Sequence, residues 1–158
     1  MFRKLSRAKQ ELSREECLVV LRDALRGVLA LTGDDGYPYA LPINFYYDQT
    51  SDKLYFHSGK TGYKIDCIRH SQKVCFTASD DGVRLDGEWW LTIRSVIAFG
   101  KIEIIEDRKT IERISRLLSE KFTSDKDYVD REIEKFASAT TLLALSVEHL
   151  TGKVVREK

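Results

Sequence analysis

The chain has 158 residues, 42% of them hydrophobic and 10% aromatic, which excludes a disordered chain and supports a single domain with a sizeable core. Its 26 Lys and Arg stand against 25 Asp and Glu, so no basic excess marks a nucleic-acid binder. No apolar run approaches the roughly 20 residues of a membrane-spanning helix, and no apolar stretch follows the basic N-terminal decapeptide; we expect a cytoplasmic protein with neither a membrane nor a nucleic-acid partner.

Three cysteines, Cys17, Cys67 and Cys75, sit in apolar contexts without Cys-x-x-Cys spacing and read as small buried hydrophobes. His57, His70 and His149 have no metal-ligand spacing, so no metal site is expected.

In chain order, Ser13-Arg14-Glu15-Glu16 has the form of a capping box. It opens a helix with Leu18, Leu21 and Leu25 on its apolar side and Gly27 as its stop. Residues 28–32 read as a buried strand and Gly33-Asp34-Asp35-Gly36 as a tight turn. From Tyr37 to Tyr47 the odd positions are all large, which is the period of one long strand. Pro42 within it marks interrupted ladder pairing. Lys53–Ser58 is the next strand, and residues 61–70 are a short helix with Thr61 as its N-cap. Val74–Ala78 is a strand, and Trp89–Glu106 is a long β stretch with a bulge or bend at Gly100. Helices follow at Lys109–Phe122 and roughly 125–137, a helical insertion of about 108–138, before a last strand at Leu142–Val147. Six strands joined mostly by hairpin turns predict an antiparallel barrel with peripheral helices, mainly β in class. An oligonucleotide-binding barrel and a flavin-binding split barrel both fit that pattern; the missing basic groove counts against the former.

Three stretches could carry chemistry. In Phe56–Lys64 a strand ends, a loop with two glycines and two lysines follows, and a helix begins. If that helix starts near Thr61, Lys60 lies just before it and Lys64 in its first turn, and both ammonium groups can reach a phosphate held there. A solvated loop would use the same residues. In Pro38–Asn44, small even-numbered residues beside a proline would let a flat heterocycle approach the backbone, though a sheet corner also explains them. In Trp89–Gly100, an aromatic pair suits a core, while Arg94 in mid-strand calls for a carboxylate, a phosphate or a partner subunit.

The ordered set Gly36-Tyr37-Pro38-Tyr39, Pro42-Ile43-Asn44-Phe45, Tyr55-Phe56-His57-Ser58, Gly62-Tyr63-Lys64-Ile65-Asp66, Val74-Cys75-Phe76-Thr77, Ser95–Gly100 and Thr151-Gly152-Lys153 spans almost the whole chain. It resembles the pyridoxamine 5′-phosphate oxidase-like split-barrel flavoproteins, in their nitroimidazole-resistance (NimA-type) branch. The resemblance implies a six-stranded split barrel and a homodimer that holds FMN, or on occasion FAD, at the subunit interface. It places His57, Ser58, Lys60, Thr61, Gly62 and Lys64 on the phosphate side and Pro42, Ile43 and Asn44 along the flavin ring. Ser95 and Val96 fall on a strand near the flavin, contributed by the other subunit. His57 matches a histidine with a proposed catalytic role beside the flavin. The chain departs from the common pattern at Gly59-Lys60-Thr61 and at Arg94. It also lacks the Arg-rich C-terminal segment that binds substrate in true pyridoxamine phosphate oxidases, which disfavours that activity. A flavin-dependent oxidoreductase acting on a small molecule is the leading expectation. A non-catalytic flavin-binding or sensor protein is the alternative, and a haem-binding split barrel with His149 or His57 as axial ligand comes third.

Overall fold

The computed structural model describes residues 2–156. Ser13 starts the first helix, α1 (Arg14–Asp23). Its hydroxyl accepts from the Glu16 N–H, and the Glu16 carboxylate accepts from the Ser13 N–H at 2.8 Å, so the capping box read from sequence is formed. The helix ends before Leu25, which is exposed, and Gly27 is not its stop. Gly27 lies inside β1 (Arg26–Thr32), where a side chain would strike the Phe76 ring.

The expected 37–47 strand is two strands. β2 (Pro38–Asn44) and β3 (Tyr46–Asp48) are separated by Phe45 alone, so there are seven strands rather than six. Pro42 does not interrupt the ladder: it lies opposite Val28, and β2 is an edge strand, where a missing N–H costs nothing. β4 (Lys53–Gly59), β5 (Lys73–Ser79), β6 (Thr92–Ile105) and β7 (Thr140–Arg156) complete one antiparallel sheet in the order β2-β1-β5-β6-β7-β4-β3. Because β2 and β3 are its two ends and one residue joins them, the sheet must curl until its edges meet. That is how the barrel closes.

Phe45 is fully buried at the closure, edge-on to Phe76 at 4.7 Å, with Phe56 against Phe76 at 5.2 Å. These rings and Leu29, Leu54, Val96 and Leu145 form the barrel interior. The register of β6 on β7 slips between Phe99 and Gly100, so the expected bulge is present. A Cβ on Gly100 would run into the Ser146 carbonyl oxygen. Trp89 lies outside β6 and is 71% exposed, so it neither fills the barrel nor belongs to the strand.

α2 (Tyr63–His70) follows β4, and its N-cap is Gly62 rather than Thr61. Gly62 has φ 114°, a conformation that favours glycine, which fixes the start of the helix one residue later than the hydroxyl suggests. α3 (Arg108–Ser119) and α4 (Lys126–Phe136) are capped by Asp107 and Asp125, whose carboxylates accept from the N–H groups of Thr110 and Tyr128. α3 lays Ile111 and Ile114 on Tyr55, Leu142 and Ala144 of the outer sheet face. Cys17 and Cys67 are buried and Cys75 half-buried, all as free thiols. Among the described residues no His/Cys/Asp/Glu group could hold a metal, and no helix is long and apolar enough to cross a membrane.

Candidate functional site

β4 decides what faces what. Its side chains alternate, with Leu54, Phe56 and Ser58 buried on one side and Tyr55 and His57 on the side covered by α3. His57 therefore turns away from the barrel interior. Its Nε2 and the Ser115 Oγ of α3 lie 2.8 Å apart in a hydrogen bond. Burial holds the His57 pKa below its ordinary 6.5, so the ring is neutral at pH 7. Ser58 is buried, and its hydroxyl donates to the Gly59 carbonyl.

The end of β4 exposes Gly59, and the loop after it exposes Lys60, Thr61 and Gly62. Lys64, in the first turn of α2, is different: it is half-buried, and desolvation pushes its pKa down with no carboxylate opposing the shift. Among the described residues its ammonium has no hydrogen-bond or ion-pair partner. Tyr63 beside it packs edge-on to Tyr39 of β2 at 4.9 Å, and its hydroxyl donates to Asp35. The start of α2 is thereby held against the β1–β2 hairpin. Along β2, Pro38, Ala40, Pro42 and Asn44 face outward while Ile43 is buried. β2 and the start of α2 thus meet through the Tyr39 and Tyr63 rings, beside the β1–β2 hairpin.

Ser95 and Val96 lie on β6, far along β7 from His57 but in line with the end of β2: Val96 pairs with Ala78, Ala78 with Gly27 and Gly27 with Ile43. Val96 is fully buried in the core, which leaves only its backbone for a ligand, and its carbonyl already accepts from the Thr77 hydroxyl. His57 pairs with Leu142 on β7, whereas Ser95 pairs with Lys153, eleven positions further along. At about 3.3 Å per residue that is roughly 35 Å of strand contour. Arg94 finds its carboxylate in Asp80, 4.0 Å away, and the same Asp80 accepts from the Arg94 backbone N–H. The ring of His149 is stacked under Phe2 at 4.6 Å.

Sequence reading did not foresee a cavity of about 330 Å³ between β4 and the two inserted helices. His57, Ser115 and Glu132 line it together with Phe122, Tyr128 and Phe136. Asn44 of β2 lines it as well. Periodicity placed both helices, but it cannot say which strand they cover, so Ser115 and Glu132 looked like ordinary helix positions.

The family profile described as pyridoxamine 5′-phosphate oxidase matches residues 13–154. Among solved structures, a candidate 5-nitroimidazole antibiotic resistance protein of Bacteroides thetaiotaomicron is 25% identical with a TM-score of 0.75, covering 91% of this chain and 86% of that one. An FAD-binding protein of Mesorhizobium loti is 22% identical with a TM-score of 0.69 and covers 92% and 97%. An FAD and heme binding protein of Mycobacterium smegmatis is 23% identical with a TM-score of 0.72 and covers 95% and 74%. Among curated proteins no sequence matches this chain.

Proposed function

From the premise that the chain belongs to the pyridoxamine 5′-phosphate oxidase family, we propose that it binds FMN along the seam between β2 and α2 and acts as a flavin-dependent oxidoreductase. Lys64 carries this reading. A cation drawn partly out of water with no anion beside it is an uncompensated cost. A phosphate at the start of α2 would offset that cost and accept from the unbonded N–H groups of the first turn. β2 complements it with an open edge of small outward residues, Ala40 and Pro42, against which a flat ring can lie. When bound, a flavin supplies hydride or electron transfer; the chain's own residues hold the phosphate, wall the ring and exclude water. Two structural relatives bind FAD, which supports the cofactor class. The same ammonium would serve the pyrophosphate of FAD, and mass identification of what denaturation releases separates the two.

The site is completed by a second copy of the chain. Within one chain Val96 lies three strands from Ile43 of β2, in the row Val96, Ala78, Gly27, Ile43, and a partner copy would bring a second Ser95–Val96 segment to the unpaired edge of β2. Near that segment, Val83, Leu85 and Trp89 leave apolar surface exposed, which suits an interface between copies. Three free thiols fit the reducing setting of the cytoplasm.

Titration with FMN and with riboflavin tests the phosphate assignment. A charge-assisted contact contributes about 1.5–3 kcal/mol, so Lys64→Ala should weaken FMN roughly tenfold or more while leaving riboflavin unchanged. Equal weakening of both ligands would refute it. Turnover of reduced nicotinamide with a nitroaromatic acceptor, the first one to try given the Bacteroides relative, separates an oxidoreductase from a flavin-binding sensor.

A further inference from the structure

Lys121 stands just past the end of α3, where its backbone N–H donates to the Leu118 carbonyl. A lysine at a helix C-terminus ordinarily stays in water or bonds the last carbonyls of its own helix. This one does neither. Its half-buried side chain crosses to two carbonyls far away in sequence, Ala24 at the end of α1 at 2.6 Å and Phe45 at 3.3 Å. The ammonium also lies 4.3 Å from the centre of the Phe45 ring.

The positions it joins border the cavity. Asn44, immediately before Phe45, and Phe122, immediately after Lys121, both line it, with Leu118 and Ser119 of α3 beside them. Phe45 is the one residue between β2 and β3, so its carbonyl sits where the two edge strands part. A single ammonium therefore sets the spacing between the Asn44 wall and the wall that leads into α4. Its charge matters to the grip. A charge-assisted hydrogen bond is about twice as strong as a neutral one, and the contact with the ring face needs a cation.

We propose that Lys121 is a positioning residue for the flavin site: its charged ammonium latches Asn44 and the α3–α4 connection at the spacing that receives the flavin ring. Asn44 belongs to β2, along which the ring is proposed to lie, so the latch rests on the flavin reading. Lys121 acts through the Phe45 carbonyl and its own neighbour Phe122 rather than by touching the ring.

The latch should be sensitive to mild alkali, since burial lowers the Lys121 pKa to about 8. Among the described residues, Asp23 of α1 is the charged group whose field opposes that shift, and its carboxylate is held by Arg22 at 2.7 Å. The β2–β3 link offers the ammonium a carbonyl and an aromatic face.

Riboflavin, titrated into the full chain at pH 7 and at pH 9 and followed by flavin fluorescence, tests the latch. It has no phosphate, so Lys64 does not enter, and His57 is neutral throughout that range. The natural chain should bind riboflavin about fivefold more weakly at pH 9, as charge-assisted contacts become neutral ones. Lys121→Arg, which keeps a charged donor, should bind equally at both pH values. Lys121→Met, which keeps the apolar stem, should bind weakly at both. Stability contributed by Lys121 rises over the same range, so unfolding would not account for weaker binding at pH 9. Equal affinity at the two pH values in the natural chain would overturn the latch. So would Lys121→Met binding as tightly as the natural chain, or Lys121→Arg keeping the natural pH dependence. A natural chain that binds neither riboflavin nor FMN at pH 7 would overturn the flavin reading and the latch with it, which sets that failure apart from the others.

Discussion

The barrel and the α3–α4 insertion hold themselves together in different ways. Barrel residues are locked by ring-to-ring packing of Phe45, Phe56 and Phe76 and by strands paired on both sides. α3 shares in this through Ile111 and Ile114. α4 does not: its buried cluster is Val129, Ile133 and Ala137, while Tyr128 and Phe136 stay half-exposed. Lys121 is the tie between the halves. Its ammonium donates to the Ala24 carbonyl at 2.6 Å and to the Phe45 carbonyl at 3.3 Å, and lies 4.3 Å from the Phe45 ring. The rigid half carries the seam where a cofactor would be held, and the loosely held helix roofs a cavity. Elements with few buried apolar contacts open first.

The largest effect expected is at the closure. Phe45→Ala should cost about 3–5 kcal/mol of unfolding free energy in urea, because a fully buried ring packed edge-on against Phe76 leaves a hole that β5, paired on both sides, cannot move to fill. Ile133→Ala in α4 should cost about 2 kcal/mol, the low end for its type, since the helix can settle into the cavity. Amide exchange should then speed up in α4 and not in β5 or β6. Equal losses at the two positions would remove the distinction between the halves.

Lys121 gives a pH signature. Burial pulls its pKa from 10.5 down to about 8, so between those values the unfolded chain binds more protons than the folded one. Stability contributed by this group therefore rises with pH across that window. The difference in unfolding free energy between the natural chain and Lys121→Met should grow in the natural chain's favour from about pH 8 to 10.5. A flat difference would show that the ammonium is not desolvated.

His57 gives a smaller effect of the same sign. Its folded pKa lies below 6.5, so its contribution is complete above that pH and is lost as pH falls through the folded value. His57→Gln should flatten the acid limb of the stability curve between pH 6.5 and that lower value. An unchanged limb would mean the ring is not desolvated beneath α3.

What the sequence made legible follows from range. Capping at Ser13, the alternation along 37–47 and the bulge at Gly100 are local, and each stands in the structure. The break at Phe45 was hidden because the residue continues the alternation; only the curl of the sheet makes it a hinge between opposite edges. Thr61 lost its capping role to Gly62 because backbone conformation, not hydroxyl chemistry, sets the start of α2. For the candidate site, β2 and Lys64 were read from a strand edge and a helix start, and the structure shows Tyr63, the neighbour of Lys64, packed on Tyr39 of β2. The Ser115 partner of His57 was not readable, since it lies 58 residues away on a helix whose docking face no periodicity specifies.

The central claim, a flavin held at the seam and completed by a second chain, is tested most directly by sedimentation of the purified protein followed at the visible absorbance of flavin. The flavin band should travel with a dimer at micromolar concentration, two flavins to two chains. A flavin band moving with a single 18.2 kDa chain would contradict the shared site, and a colourless protein that fails to take up added FMN would contradict flavin binding itself.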